Sequence, residues 1–280
     1  MIKFQKVIKY IAIALAILLI FNIFKGILMV VGGIVGVSKI GDVLEEDTNY
    51  ELLEEPEVML LDEDATEIEI EVATVNIIIK QGEEFTFETN SKNMWITREN
   101  DKILIREKTK VGPLVHSTNL GEATIYIPKN VEIAKIKLET GAGNVNISDL
   151  NLEEIDFKLG AGNVKLQNII SNNKCKIEGG AGKIDVSDSE FKNMNLDLGV
   201  GNLDLNAKLI GNSSINCGVG QLNLNLIGNV EDYKIDVEKG IGTAKIKGDD
   251  ISGTYSNGDN YIDIEGGVGA INIDFDTIEE

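Results

Sequence analysis

The chain is poor in the side chains on which most catalysis depends. Among 280 residues there is one histidine, His116, and the only arginines are Arg98 and Arg106. Ser-His or Cys-His chemistry would need His116 beside a nucleophile. It stands instead in Lys108–Leu120, a segment containing Gly112-Pro113 that reads as a loop. Two distant cysteines, Cys175 and Cys217, imply no disulfide framework. Positive charge is also scarce. The net charge is −20, and beyond residue 41 there are 21 basic against 46 acidic residues, a net −25. Such a segment repels phosphate backbones, so nucleic acid is excluded as a partner. Aromatic residues make up only 5%, which leaves no evident stacking platform for sugar rings.

Glycine, by contrast, is abundant and periodic. Gly-(Ala/Val/Ile)-Gly occurs seven times, beginning at Gly141, Gly160, Gly180, Gly199, Gly218, Gly240 and Gly267, with spacings of 19, 20, 19, 19, 22 and 27. The second glycines are Gly143, Gly162, Gly182, Gly201, Gly220, Gly242 and Gly269. A fixed period of this size marks a stacked repeat architecture. With the first glycine as position zero, position −3 is apolar in every copy (Leu138, Phe157, Ile177, Leu196, Ile215, Val237, Ile264). Positions +4 and +6 are apolar in nearly every copy, as in Val145 with Ile147 and Leu203 with Leu205, and the positions between are almost all polar. Period-two alternation reads as a strand with one buried face. The inward parity is odd up to +1 and even from +4, so a bend must separate two strands. It is expected at the second glycine and the residue after it, often Asn (Asn144, Asn163, Asn202), because both types tolerate positive φ.

The expected fold is therefore all-β: a β-solenoid of two-strand rungs with about 19–20 residues per repeat, its +1 residues packed inside a narrow corner. An antiparallel meander or sandwich is the alternative, but it leaves the constant size class at each position unexplained. Glu67–Lys80 reads as a worn first copy, with Ala73-Thr74 in place of Gly-x-Gly. Met94–Arg106 reads as a hairpin turning at Asn100-Asp101. Gly248–Asn260 reads as an insertion, in which Gly258 should tolerate a larger side chain better than the corners do. The final rung, Ile271–Asp276, is expected to be an open end guarded by Asp274, Asp276, Glu279 and Glu280. Cys175 at −5 and Cys217 at −1 sit two rungs apart, about 9.6 Å along the stack. That exceeds what a disulfide spans, so both read as small core residues.

The N-terminus begins with Lys3, Lys6 and Lys9, followed by an apolar run over residues 10–37 broken only by Asn22 and Lys25. That length suits one membrane helix. Lysines before it and Asp42, Glu45, Glu46 and Asp47 after it place the N-terminus in the cytoplasm and the rest outside. A cleaved signal peptide and a re-entrant hairpin around Lys25-Gly26 are the alternatives. The organisation expected is 1–40 basic stub and transmembrane helix, 41–66 acidic juxtamembrane linker, and 67–280 extracytoplasmic domain. Within the domain, 67–130 hold the atypical first rung and hairpin, and 131–280 the seven repeats.

No cofactor, metal or catalytic group is indicated. Gly141-Ala142-Gly143 lacks the third glycine and the helix of a dinucleotide loop. Gly179-Gly180-Ala181-Gly182 has Ile184 where a calcium-binding nonapeptide needs an acid. Asp249, Asp250, Asp259 and Asp263 read as a solvated tip. The acids at −2 (Glu139, Glu178, Asp197, Glu238, Glu265) form a ladder rather than an acid–base pair. The +5 and +7 rows (Asn146, Lys165, Asp185, Asp204, Asn223, Lys245; Ser148, Gln167, Ser187, Asn206, Asn225) read as a self-stabilising amide face, with contact to glycan or protein as the alternative.

The run GEATIYIPKNVEIAKIKLETGAGNVNISDL, followed by GAGNVKL, GAGKIDV and GVGNLDL, resembles the bacterial putative-adhesin domain family, a domain of unknown function, from Glu67 to Phe275. The resemblance implies a β-solenoid, often tethered by one membrane helix, and brings no functional residues with it. The expected function is a non-enzymatic, membrane-anchored cell-envelope protein, a surface scaffold or adhesion module with a protein or glycan partner at the cell surface. The alternative is an envelope-stress sensor or regulator acting by protein contacts or by capture of cationic peptides.

Overall fold

The computed structural model describes residues 52–107 and 120–277; the apolar run 10–37 and His116 lie outside them. Among the described residues no helix is long and apolar enough to cross a membrane. The strands are β1 (Leu52–Leu60), β2 (Glu67–Val72), β3 (Val75–Gln81), β4 (Thr86–Ser91), β5 (Met94–Glu99), β6 (Lys102–Glu107), β7 (Gly121–Ile127), β8 (Lys135–Ala142), β9 (Val145–Lys192), β10 (Met194–Ile210) and β11 (Asn212–Ile227). After a one-turn 3-10 helix come β12 (Tyr233–Ile246), β13 (Asp249–Asp250), β14 (Gly253–Tyr255) and β15 (Asn260–Asp276). They form an open, solenoid-like all-β stack.

Neighbouring rungs pair in parallel with like on like: Leu196 opposes Ile177 and Ile215, and Leu203 opposes Ile184 and Leu222. This removes the antiparallel alternative for the array. The stacked −3, +4 and +6 residues form the aliphatic core. The rung has more than the two strands expected. A second corner follows at Asp149, Asn168 and Asp188, each with φ between 51° and 60°. Beyond it a third inward segment contributes Leu150, Leu152, Ile169 and Phe191 to the core. Asn and Asp tolerate this left-handed conformation better than other non-glycine residues, which locates the turn. Between the rungs that begin at Gly180 and Gly199 the register shifts between Leu205 and Ala207, because the turn from Val186 to Ser189 holds one residue more than the turn from Leu205 to Ala207. There the buried Ser189 hydroxyl accepts the Ile169 N–H (3.1 Å) and donates to the Ser187 carbonyl (2.8 Å).

Both ends are closed by antiparallel strands. The worn first copy, β2 with β3, stacks on the first regular rung: Ile68 on Ile136, Ile70 on Leu138, Ile77 on Val145. Beneath it lie β6 and β7, also parallel. The hairpin at Asn100-Asp101 joins β5 to β6, while β4 covers β7 and β1 covers β4. Part of the acidic segment expected as a linker is therefore a strand of the sheet. β1 carries Glu54, Glu55 and Glu57 around Pro56. Proline and like charges are tolerated on an edge strand and discourage further pairing.

The C-terminal strand does not form the open end expected of it. β15 lies between β11 and β12, pairing in parallel with both. Ile264 opposes Ile215 on one side and Val237 on the other. The end belongs to β12, and the Gly248–Asn260 insertion folds back over it as β13 and β14. Gly258 is consequently no tolerant loop glycine, because a Cβ there would run into the backbone of Asp232 and Tyr233.

Candidate functional site

The glycine corner determines which side chains the stack presents. The second glycine of each copy has φ between +142° and +151°, whereas the Asn after it does not have positive φ. A Cβ on Gly143 would meet the Val75 carbonyl oxygen at 2.5 Å. At the later copies it would overlap the carbonyl oxygen of the equivalent glycine in the next rung. Glycine is thus required twice over, by conformation and by close approach.

This geometry corrects the assignment of the +1 residues. Inward parity ends at −1, so +1 points out of the corner. Val200 is 54% exposed, Val219 and Val268 45%, and Ile241 51%. Stacking places Ala142 beside Ala161, Ala181 beside Val200, then Val219, Val268 and Ile241. The result is an exposed aliphatic ridge along the stack, flanked on both sides by glycine. The sequence contained a sign of it: side chains at +1 grow from Ala to Ile without any compensating change in the inward ladders.

The outward rows of the first arm are laced with ion pairs. Glu69 is only 9% exposed and accepts from Lys102 (2.8 Å) and Lys137 (2.5 Å) in the rungs on either side. The hydrogen bond from Lys102, then that from Lys137, holds its carboxyl down at about 2, outweighing desolvation. Arg106 pairs with Glu71 (2.8 Å) and lies over the Trp95 ring (5.7 Å). The −2 acids share one face as expected, interrupted by Lys158 and Asn216. Lys176 donates to Glu178, and Asn216 donates to Asp197 (2.7 Å). These acids lie along a ladder and do not converge on one point.

On the second arm the amides bond to one another. The Asn144 N–H donates to the Asn76 side-chain oxygen (2.9 Å), Asn223 donates to Asp204 (2.6 Å), and Asn272 donates to Asn223 (2.9 Å). Asn223 first, then Lys183, lowers the Asp204 pKa. One aromatic side chain does stand in the +7 row, Tyr126, beside Lys80 (5.0 Å to the ring centre), with its hydroxyl donating to Glu88 (3.2 Å). The tip acids are not gathered: Asp249 and Asp250 are in β13, while Asp263 lies in β15 beside Asp236. No group of three or more His, Cys, Asp or Glu side chains among the described residues could hold a metal ion. Cys175 and Cys217 are free and buried, and burial pushes the Cys175 thiol up.

Residues 65–265 match the Toastrack DUF4097 family. The chain belongs to that family. No curated protein matches it. Among solved structures, this Toastrack chain is similar to a putative cell adhesion protein from Clostridium sporogenes at 20% identity, covering 79% of this chain and 99% of that one, with a TM-score of 0.42. It is also similar to a putative adhesin from Bacteroides fragilis at 13% identity, covering 78% and 95%, with a TM-score of 0.49. A third, called a putative lipid binding protein, from Parabacteroides distasonis, shares 13% identity over 79% of this chain and 98% of that one, with a TM-score of 0.39.

Proposed function

We propose that this Toastrack chain is a non-enzymatic, membrane-anchored envelope protein whose solenoid serves as a surface scaffold or adhesion module. The observation that carries this reading is the self-bonding of the outward rows. Side chains from successive rungs satisfy one another, as in Asp204–Asn223–Asn272 and Lys102–Glu69–Lys137. Such ladders stiffen a stack and present flat, continuous faces. They do not assemble a nucleophile, a base and an oxyanion site at one point, as a reaction requires. The apolar run 10–37, outside the described residues, supplies the anchor in this reading, with Lys3 in the cytoplasm and Asp42 onward outside. Protease shaving of intact protoplasts tests the topology. Cleavage beyond Asp42 is expected while a cytoplasmic control survives. Protection of both overturns the orientation.

A second reading, capture of cationic peptides by a stress sensor, is favoured by the acids Asp197, Glu265 and Glu238 in one row beside the corner. Pull-down of the full chain from native membranes separates the two. A scaffold or adhesion module retains surface partners at raised salt, whereas peptide capture is lost as salt screens the acids.

A further inference from the structure

Asn257-Gly258 is the one Asn-Gly step in the chain. It lies in the insertion that folds back over β12, and Asn257 is exposed to water. Such a step can modify itself. The Gly258 nitrogen, once its proton is lost to base, attacks the side-chain carbonyl carbon of Asn257. The side-chain nitrogen leaves as ammonia, and a five-membered imide joins the two residues. Water then opens either imide carbonyl, giving aspartate or isoaspartate. Water is the one co-reactant, and nothing is oxidised or reduced. Glycine favours the ring closure because no β-carbon shields its nitrogen.

Ring closure needs a free nitrogen and a backbone that can turn, and the docked insertion withholds both. The Gly258 N–H donates to the Tyr233 carbonyl oxygen (2.9 Å). A Cβ on Gly258 would strike the backbone of Glu231, Asp232 and Tyr233, so the chain is packed tightly at this point. Hydrogen bonds pin the residues on either side. The Ser256 hydroxyl donates to the Val230 carbonyl (3.0 Å). The Asn260 side chain donates to the Asp232 carbonyl (3.1 Å) and accepts the Gly211 N–H (3.0 Å). Ser256 is held at φ 60°, a costly conformation for a residue with a β-carbon. The imide therefore forms only when the insertion lifts from the end of the stack.

We propose that Asn257-Gly258 is a self-modification site guarded by the docked insertion, and that its deamidation uncaps the β12 end of the stack. Conversion prevents the return of the insertion in two ways. Isoaspartate carries the main chain through its β-carbon, which adds a backbone atom between Ser256 and Gly258, two residues whose acceptors are both fixed. Either product also adds a negative charge beside Asp259 and the 3-10 turn that carries Glu231 and Asp232. With the insertion lifted, β12 loses β14, its partner at Ile235–Val237, and presents an open strand edge. The site acts in the same way whether the stack is a scaffold or a peptide trap.

Peptide mass spectrometry of the full-length chain, incubated in detergent at mildly alkaline pH, tests this. In the folded chain Asn257 is expected to gain one mass unit at least tenfold more slowly than in the urea-unfolded chain. Ser256→Ala, which removes one pin, should convert severalfold faster than the parent while the denaturation midpoint is retained. If that midpoint is not retained, Asn260→Ser takes its place with the same expectation. The converted chain, separated by ion exchange on its added charge, should show faster deuterium exchange at Gly258 and at Ile235–Val237 than the parent. Asn257→Gln, whose larger ring closes far more slowly, should neither convert nor lose protection over the same incubation. Equal conversion in folded and unfolded chains overturns the guard. Unchanged exchange at Ile235–Val237 in the converted chain overturns the uncapping.

Discussion

Gly269 stacks on Gly220 so closely that a Cβ on Gly269 would overlap the Gly220 carbonyl oxygen. The contact recurs from rung to rung, and both residues hold φ near +150°. Gly179 makes a useful contrast. It is also in a repeat, but its φ is not positive, and the tight contact of an added Cβ would be with the end of the flexible Leu198 side chain at 2.9 Å, with the end of Ile184 next at 3.4 Å. Gly220→Ala is therefore expected to cost about 2–4 kcal/mol, and Gly179→Ala under about 1 kcal/mol. Chemical denaturation checks this, and equal midpoints would remove the corner argument.

At the worn first copy a carboxylate supplies what the corner otherwise lacks. Glu107, 7% exposed, accepts the N–H of Ala73 (2.6 Å) and of Thr74 (3.0 Å). Glu107→Ala leaves both donors without this acceptor and is expected to cost about 1–3 kcal/mol. Glu107→Gln, which keeps a carbonyl oxygen, should lose less. If both variants match the parent in denaturant midpoint, Glu107 is not the corner's cap.

Glu69 makes stability depend on pH in the acid range. Its folded-state pKa of about 2 lies below the ordinary 4.5, so the folded protein binds this proton more weakly than the unfolded chain does. The contribution is complete above about pH 4.5 and is lost as pH falls towards 2. The gap in midpoint between parent and Glu69→Gln should be constant from pH 7 to 5 and shrink on further acidification. A gap independent of pH down to 2.5 contradicts the pairing with Lys102 and Lys137.

Because β15 separates β11 from β12, its removal should unmake more than the last rung. A chain ending at Asp259 exposes the ladder groups of both neighbours. Backbone amides of Tyr233–Ile246 are expected to exchange with deuterium far faster than in the full chain, and the product should associate through the exposed edges. Unchanged protection of those amides would mean that β12 docks directly on β11.

The +1 ladder shows where local reading runs out. Alternation tells which residues share a face along a continuous strand, and it placed Leu138, Phe157, Val145 and Ile147 in the core correctly. Within the Gly-x-Gly corner the rule breaks between −1 and +1, ahead of the glycine of positive φ, because the backbone bends there and no side-chain pattern records the bend. Val200 and Val219 therefore read as buried and are exposed. The hydrogen-bonded face of the second arm was legible, since short polar side chains able to bond one another, such as Asp204 and Asn223, recur at the same position. The Glu69 cluster was not, because its three members come from strands distant in sequence.

The sequence by itself determined the repeat, its length, the glycine corners, the aliphatic identity of the core and the hairpin at Asn100-Asp101. All of these are local or periodic properties, enforced by sterics and by burial of alternating side chains. Only the tertiary structure decided the order of the rungs and the closure of the ends. The apolar ladders of β11, β12 and β15 are chemically interchangeable, so each could stack on any other. The placement of β15 between its neighbours, and of β13 and β14 over β12, depends on how the 248–260 insertion folds back, which no short-range pattern encodes.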